Sequence, residues 1–177
     1  MRIYLSTTRS PERNLVILLL STKAGLRAKE IAFLTWRMVT SSDGGVGDTI
    51  NITNAAAKGN TGGSIPMARE LRSALIAWRK ISWAPESHDR VIVTERSAAT
   101  SAQVIVNLFC TWYRRMGFDG CSSHSGRRTF ITSAARNIGR FGGSIRDVQT
   151  LARHKSLAVT QRYIEQNSDA MRKVVDV

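Results

Sequence analysis

The sequence predicts a mostly α fold with a small antiparallel β hairpin, of the α+β class, in a single domain. Apolar residues recur with helical periodicity along most of the chain, and one glycine-rich turn separates two short β-like segments. The length of 177 residues suits one domain with a proper core. Hydrophobic residues make up 42% and charged residues 22%, which excludes a mostly disordered chain.

The first long helix is predicted to begin at Ser10 and to end at Gly25. Ser10 is a suitable N-cap, Pro11 suits the first turn, and Glu12 lies near the positive end of the helix dipole. Glycine accepts the left-handed conformation that often ends a helix, so Gly25 marks the end. A short second helix is predicted over residues 29–34.

A β hairpin is predicted next, with Lys58 at its tip. Apolar and polar residues alternate over residues 49–53, as in a strand. Residues 58–63 form a glycine-rich turn, and residues 64–67 form the second strand. Pro66 suits the end of an edge strand, because proline lacks the N–H that a ladder needs. Residues 91–93 read Val-Ile-Val and predict a further short strand.

Five further helices are predicted from apolar periodicity and glycine stops. They cover Leu71 to Trp78, Val104 to Trp112 with a stop at Gly117, Arg127 to Asn137, and the pair Ile145 to Ala152 and Ser156 to Gln166.

The charge balance is the most informative feature of the composition. The chain has 26 Lys and Arg against 13 Asp and Glu, a net charge of +13, which indicates a polyanionic partner, nucleic acid first. A membrane partner is not expected, since no apolar stretch reaches a spanning length and no secretory signal is seen. Two cysteines, Cys110 and Cys121, make no disulfide framework and favour a reducing cytosol.

Taken alone, each polar residue of a type suited to catalysis or binding also has an ordinary structural explanation. Arg27 and Glu30 have the spacing of a surface helix pair, and a lysine in a turn is usually solvated. A metal site is not expected, because only Cys121 and His124 have suggestive spacing and zinc needs about four ligands. No phosphate-binding loop, dinucleotide fingerprint or Gly-x-Ser-x-Gly elbow is present.

The order of several short motifs changes this assessment. Residues 24–31 read AGLRAKEI, residues 124–130 HSGRRTF, residues 148–157 VQTLARHKSL and residues 160–164 TQRYI. In this order and spacing, with Lys58 between the first two, the chain resembles the catalytic domain of the tyrosine recombinase, or phage integrase, family. The resemblance runs from about Arg13 to Gln166.

The resemblance implies the site residues. Tyr163 is expected to attack a DNA phosphodiester, forming a 3′-phosphotyrosyl link and releasing a 5′-hydroxyl, and Glu30 is expected to support Arg27. The other catalytic positions are Arg27, Lys58, His124, Arg127 and His154, and the expected DNA contacts are Arg128, Arg153, Lys155 and Arg162.

These residue types suit phosphoryl transfer on chemical grounds. A free phenol has a pKa of about 10 and needs a base or nearby positive charge at neutral pH. Two guanidinium groups match the non-bridging oxygens of a phosphate, so no metal, ATP or other cofactor is expected. Lys58 suits the general acid that protonates the leaving oxygen. His154 suits either phosphate binding or proton transfer, and the sequence leaves both open.

The predicted function is a site-specific DNA recombinase or integrase of bacterial or viral DNA, acting in the bacterial cytoplasm at the nucleoid. The expected partner is double-stranded DNA, bound by a homo-tetramer with accessory DNA-bending proteins. Two alternatives remain: a topoisomerase-like enzyme that relaxes DNA as a monomer, and a DNA-binding module of the same fold without catalysis.

Three expectations concern departures from the family. Residues 1–166 are expected to form the catalytic domain without the N-terminal core-binding domain of most members, which predicts weak, salt-sensitive DNA binding. Two alternatives are open for the tail, residues 167–177: it packs on a neighbouring subunit, or it folds on its own core or is disordered. Arg153 replaces the small residue that usually precedes the second histidine, so the backbone there is not expected to take a positive φ.

Overall fold

The computed structural model describes residues 1–57, 62–95 and 97–164. Within these residues the protein is mostly helical with one two-stranded antiparallel sheet, which confirms the predicted fold class. The helices are α1 (Arg2–Ser6), α2 (Pro11–Lys23), α3 (Ala28–Phe33), α4 (Arg69–Ile81), α5 (Ala102–Arg115), α6 (Ser125–Asn137), α7 (Ile145–Ala152) and α8 (Leu157–Gln161), and the strands are β1 (Thr49–Ile52) and β2 (Gly63–Pro66). Short 3-10 helices cover Trp36–Met38 and Ile138–Phe141.

The chain divides into two compact units, Met1–Phe130 and Ile131–Val177, with the boundary inside α6. The first unit holds a continuous apolar core in which α2 packs on α4 and α3 packs on α5. Trp36 is fully buried there, and its indole N–H donates to the carbonyl of Ala84 at 2.9 Å. In the second unit α7 packs against α8.

Helix α2 has the predicted bounds. Pro11 is its first residue and Gly25 follows its end at φ 63°, where the Leu26 N–H reaches back to the Leu20 carbonyl at 3.0 Å. The Ser10 hydroxyl makes no capping bond and instead lies 3.3 Å from a carboxylate oxygen of Glu95. The N-cap role expected for that hydroxyl is therefore wrong, since a more distant acceptor takes it.

The two strands of the predicted hairpin are also found, each within one residue of its predicted bounds. Thr49 pairs with Pro66 and Ile52 with Gly63, which puts proline at the end of a strand in a two-stranded sheet. Ile50 and Ile65 pair across the strands and are fully buried. This register anchors the two strands to the core, and the predicted place of Lys58 at the tip lies outside the described residues.

One expectation about secondary structure was wrong, and one short helix was missed. Residues 91–93 are buried but form no strand, because the Val91 N–H donates to the Leu34 carbonyl and the Val91 carbonyl accepts from the Trp78 indole. These two bonds replace a ladder. Helix α1 was not predicted, since its five residues carry no cap and bury only Leu5.

The second unit begins with the rest of α6 and continues through α7 and α8. Asp147 and Ser144 cap the start of α7, with one carboxylate oxygen accepting from the Ser144 N–H at 2.6 Å and from its hydroxyl at 2.9 Å. Helix α7 has the predicted bounds. Helix α8 ends at Gln161, earlier than predicted, and residues 165 and 166 of that prediction lie outside the described part of the chain.

Candidate active site

Arg27 lies at the start of α3 and is held by Glu30. One carboxylate oxygen of Glu30 accepts the backbone N–H of Arg27 at 2.8 Å, and the other accepts its guanidinium at 2.9 Å. The Glu30 side chain is fully buried, whereas that of Arg27 is 24% exposed. A buried carboxylate with two charge-assisted contacts fixes one cation at the surface of the first unit.

Arg127 lies in the first turn of α6 and contacts the same stretch of chain. Its guanidinium donates to the Gly25 carbonyl at 2.5 Å, and the residue is only 4% exposed. Gly25 precedes Arg27 by two residues, so both arginines are fixed on residues 25–30. The structure thus brings together two of the predicted cations, which lie 100 residues apart in sequence.

Two glycines permit this packing. A Cβ on Gly25 would lie 2.5 Å from a ring carbon of Phe130, and the backbone there has φ 63°. A Cβ on Gly126 would overlap the hydroxyl of Ser21 near the end of α2. Side chains at either position would push α6 away from α2, and Arg127 would lose its place beside Gly25.

His124 directly precedes α6 and is exposed. Its backbone carbonyl accepts the Arg128 N–H at 2.9 Å, the first helical bond of α6. The loop before it is closed by the Ser125 hydroxyl, which accepts the Ser122 N–H at 2.9 Å. His124 and Arg127 are therefore presented by the same helical turn, with the imidazole open to solvent.

His154 follows the end of α7 in the second unit. Arg153 ends that helix at φ 51°, the one non-glycine residue with positive φ in the described part of the chain. The expectation that arginine excludes this conformation was wrong. The His154 N–H donates to the Gln149 carbonyl at 3.1 Å, as the closing bond of a left-handed helix end does, and this bond offsets the cost of about 1 kcal/mol at Arg153.

His154 and Tyr163 lie side by side in that unit. Their rings are stacked with centroids 5.7 Å apart and an interplanar angle of 27°. Between them in sequence is Thr160, which is fully buried, and its hydroxyl lies 2.9 Å from Nδ1 of His154. The second predicted histidine and the predicted nucleophile are therefore in contact.

The other predicted residues fall into two groups. Lys58 lies outside the described residues, as does the tail at 167–177. Of the expected DNA contacts, Arg128, Lys155 and Arg162 are exposed, whereas Arg153 is 7% exposed.

No cofactor site stands out among the described residues. They contain no group of three or more His, Cys, Asp or Glu side chains able to hold a metal, and Cys110 and Cys121 are free and exposed. None of the described helices has the length and apolarity needed to cross a membrane.

A cleft of about 510 Å³ lies elsewhere on the first unit and is lined by Arg72, Arg79 and Lys80 with apolar neighbours. The Arg79 guanidinium donates to the carbonyls of Gly44 and Pro85, and Arg72 donates to that of Gly47. These arginines join loops to α4. The cleft includes none of the predicted catalytic residues.

Two residues of the site were missed at the sequence level. Gly25 was assigned only to the end of α2, and Thr160 had no role. The sequence signals that were present are a glycine two residues before a predicted catalytic arginine and a β-branched hydroxyl three residues before the predicted nucleophile.

Comparison with known proteins gives consistent matches. A sequence model of the phage integrase family matches residues 2–169. Tyrosine recombinase XerC of Pediococcus pentosaceus is 29% identical over 160 residues, which are 85% of this chain and 49% of that protein. The chain thus spans about half the length of this curated relative.

Solved structures share the fold. The crystal structure of XerA recombinase matches with a TM-score of 0.72 and 24% identity, over 96% of this chain and 59% of that one. The Tn1549 transposon integrase in complex with transposon right end DNA matches with a TM-score of 0.75 and 15% identity, over 99% of this chain and 61% of that one.

Proposed function

Because the chain belongs to the phage integrase family, we propose that it acts on double-stranded DNA as the catalytic domain of a site-specific tyrosine recombinase. The observation that carries the proposal is the fixation of two arginines on one short stretch, Arg27 through Glu30 and Arg127 through Gly25. Guanidinium pairs suit the two non-bridging oxygens of a phosphodiester, which gain negative charge during attack.

In the proposed reaction the Tyr163 oxygen attacks the phosphorus and loses its proton to a base such as His124. The bond from phosphorus to the 5′ oxygen breaks, and Lys58 protonates that oxygen. The products are a 3′-phosphotyrosyl link and a free 5′-hydroxyl. Attack by the 5′-hydroxyl of a partner strand reverses these steps, so the bond energy is retained without metal or ATP.

The proposed substrate agrees with the charge of the protein. A net charge of +13 favours a polyanion, and the Tn1549 integrase of the same fold was solved with transposon right end DNA. We propose that the domain works as a tetramer on two duplexes with DNA-bending proteins, and that the tail contacts a neighbouring subunit.

Covalent capture tests the proposal. The full chain is incubated with EDTA and a pool of nicked duplexes of random sequence, so that a cleaved strand diffuses away and traps the adduct. We expect a denaturation-resistant protein–DNA adduct that Tyr163→Phe abolishes and Tyr4→Phe retains. An adduct that survives in Tyr163→Phe would refute the assignment of the nucleophile.

Two alternative functions give different results in the same assay. A DNA-binding module retards the pool in a gel but forms no adduct with the wild-type chain. A topoisomerase-like enzyme forms an adduct, relaxes supercoiled plasmid as a monomer, and shows no sequence enrichment in the captured strands.

A further inference from the structure

We propose that Thr160 is a positioning residue that fixes the imidazole of His154 so that its Nε2 always carries a proton. This inference rests on the proposed function for its consequence in DNA cleavage. Its structural content concerns the second unit alone and is testable without DNA.

Thr160 contacts both predicted catalytic residues of that unit. Its hydroxyl oxygen lies 2.9 Å from Nδ1 of His154, and its backbone carbonyl accepts the N–H of Tyr163 at 3.0 Å. The His154 and Tyr163 rings are stacked against each other. One residue thus links the histidine ring to the turn that carries the tyrosine.

The surroundings of Thr160 direct its hydroxyl towards the His154 ring. The residue is fully buried in the last turn of α8, and a buried hydroxyl needs a hydrogen-bond partner. The backbone of His154 is held from the other side, because its N–H donates to the Gln149 carbonyl and its carbonyl accepts the Gln149 side-chain amide. The hydroxyl therefore orients a ring whose backbone is already fixed.

A hydroxyl suits this position because it both donates and accepts. Nδ1 is the one hydrogen-bond partner of the buried Thr160 hydroxyl among the described residues, so when the imidazole is neutral we infer that the O–H donates to Nδ1, which places the ring proton on Nε2. When the imidazole is charged, Nδ1–H donates to the same oxygen, and Nε2 is again protonated. In both states His154 presents an Nε2–H donor, which suits binding of a phosphate oxygen and does not suit a general base.

The tautomer is measurable by NMR of the ¹⁵N-histidine-labelled full chain. Only three histidines are present, and His154→Gln assigns the signal of interest. At about pH 8.5, well above the usual histidine pKa of about 6.5, we expect His154 in the wild type to be protonated on Nε2 with Nδ1 bare. A wild-type spectrum with the proton on Nδ1 would overturn the inference, whatever the variants do.

Substitutions distinguish the effect of losing the Thr160 hydroxyl from the effect of disturbing the fold. Thr160→Val keeps the shape and removes the hydroxyl, and we expect a mixture of tautomers; Thr160→Ser keeps the hydroxyl and the wild-type spectrum. Thr100→Val is the matched control, because Thr100 is also buried and its hydroxyl has no hydrogen-bond partner among the described residues. An unchanged His154 tautomer in folded Thr160→Val would contradict the inference.

The rate of adduct formation tests whether the orientation of His154 matters for DNA cleavage. We expect Thr160→Val to slow adduct formation about tenfold, as loss of an orienting outer contact typically does, with near wild-type rates for Thr160→Ser and Thr100→Val. A wild-type chain that forms no adduct defeats the proposed function, while the spectra still decide the role of Thr160. Normal cleavage by Thr160→Val with a shifted tautomer would show that the proton position on His154 is irrelevant to the reaction, against the inference.

Discussion

The guanidinium of Arg127 donates to the backbone carbonyl of Gly25 across 102 residues of sequence. The acceptor lies just past the end of α2, two residues before Arg27. A backbone carbonyl just past a helix end therefore helps to hold one of the two arginines. This arrangement makes the geometry of Gly25 as relevant to the site as the charges are.

Replacing Gly25 with alanine is expected to destabilise the protein and to displace Arg127. The new Cβ would meet the Phe130 ring at 2.5 Å, and alanine at φ 63° adds about 1 kcal/mol of strain. We expect a loss of about 2–3 kcal/mol in the free energy of unfolding by urea denaturation, together with loss of the adduct.

Gly117→Ala is the matched control for that substitution. Gly117 follows α5 at φ 70°, and a Cβ there would have nothing within 4 Å. It should lose only the strain of about 1 kcal/mol and keep the adduct. Equal losses for the two variants would show that the contact with Phe130 is immaterial.

Glu30→Gln is expected to weaken both stability and cleavage. The change removes the charge that holds the Arg27 guanidinium and places an amide in a fully buried position. We expect a loss of about 3 kcal/mol, at the low end for buried pairs because Arg27 is partly exposed. Thermal or urea unfolding measures it.

Glu70→Gln provides the comparison on the surface. Glu70 pairs with Arg2 and Lys23, and its side chain is 35% exposed. The loss should stay below about 1 kcal/mol, as for exposed ion pairs. A similar loss at both positions would argue against a special role for the buried carboxylate.

Asp147 makes stability depend on pH. Hydrogen bonds from the Ser144 backbone and hydroxyl lower the pKa of the Asp147 carboxyl below its usual value. A lowered pKa in the folded state means that the stabilisation is present above the ordinary aspartate pKa of about 4 and is lost as the pH falls through the folded value.

The measurement compares the unfolding midpoints of the wild type and Asp147→Asn from neutral pH downwards. We expect the wild type to be more stable near neutrality and the difference to shrink below about pH 4. Ser144→Ala, which keeps the backbone bond, should retain part of the pH dependence. A difference that is constant with pH would refute the capping role of the charged carboxylate.

Salt dependence tests the proposed DNA contacts. Arg128 is exposed on the first turn of α6 beside Arg127. If it binds a phosphate, Arg128→Gln should reduce the slope of log affinity against log salt by about 1. Arg9→Gln, at a site 85% exposed and paired with Glu95, should leave the slope unchanged. Equal slopes for the wild type, Arg128→Gln and Arg9→Gln would exclude Arg128 from the DNA interface.

Apolar periodicity predicted the long helices, and alternation with a glycine-rich turn predicted the hairpin, because these patterns act locally. The 91–93 segment failed because its β-like residues obtain their hydrogen bonds from Leu34 and Trp78, which local pattern does not reveal.

The order of the motifs predicted the candidate residues, but it did not predict the contacts that hold them. The bond from Arg127 to Gly25 depends on how α6 packs on α2, and that packing depends on the absence of side chains at two glycines. The role of Thr160 depends on burial, which a single hydroxyl in a short helix does not disclose.

The left-handed backbone at Arg153 has a consequence for directed evolution. Glycine or asparagine at that codon relieves the conformational penalty, so a saturation library screened for thermal tolerance should enrich both there. The same library should be depleted of every replacement at codon 25, where the neighbouring ring leaves no room. Two helix ends of similar backbone geometry would thus show opposite mutational spectra.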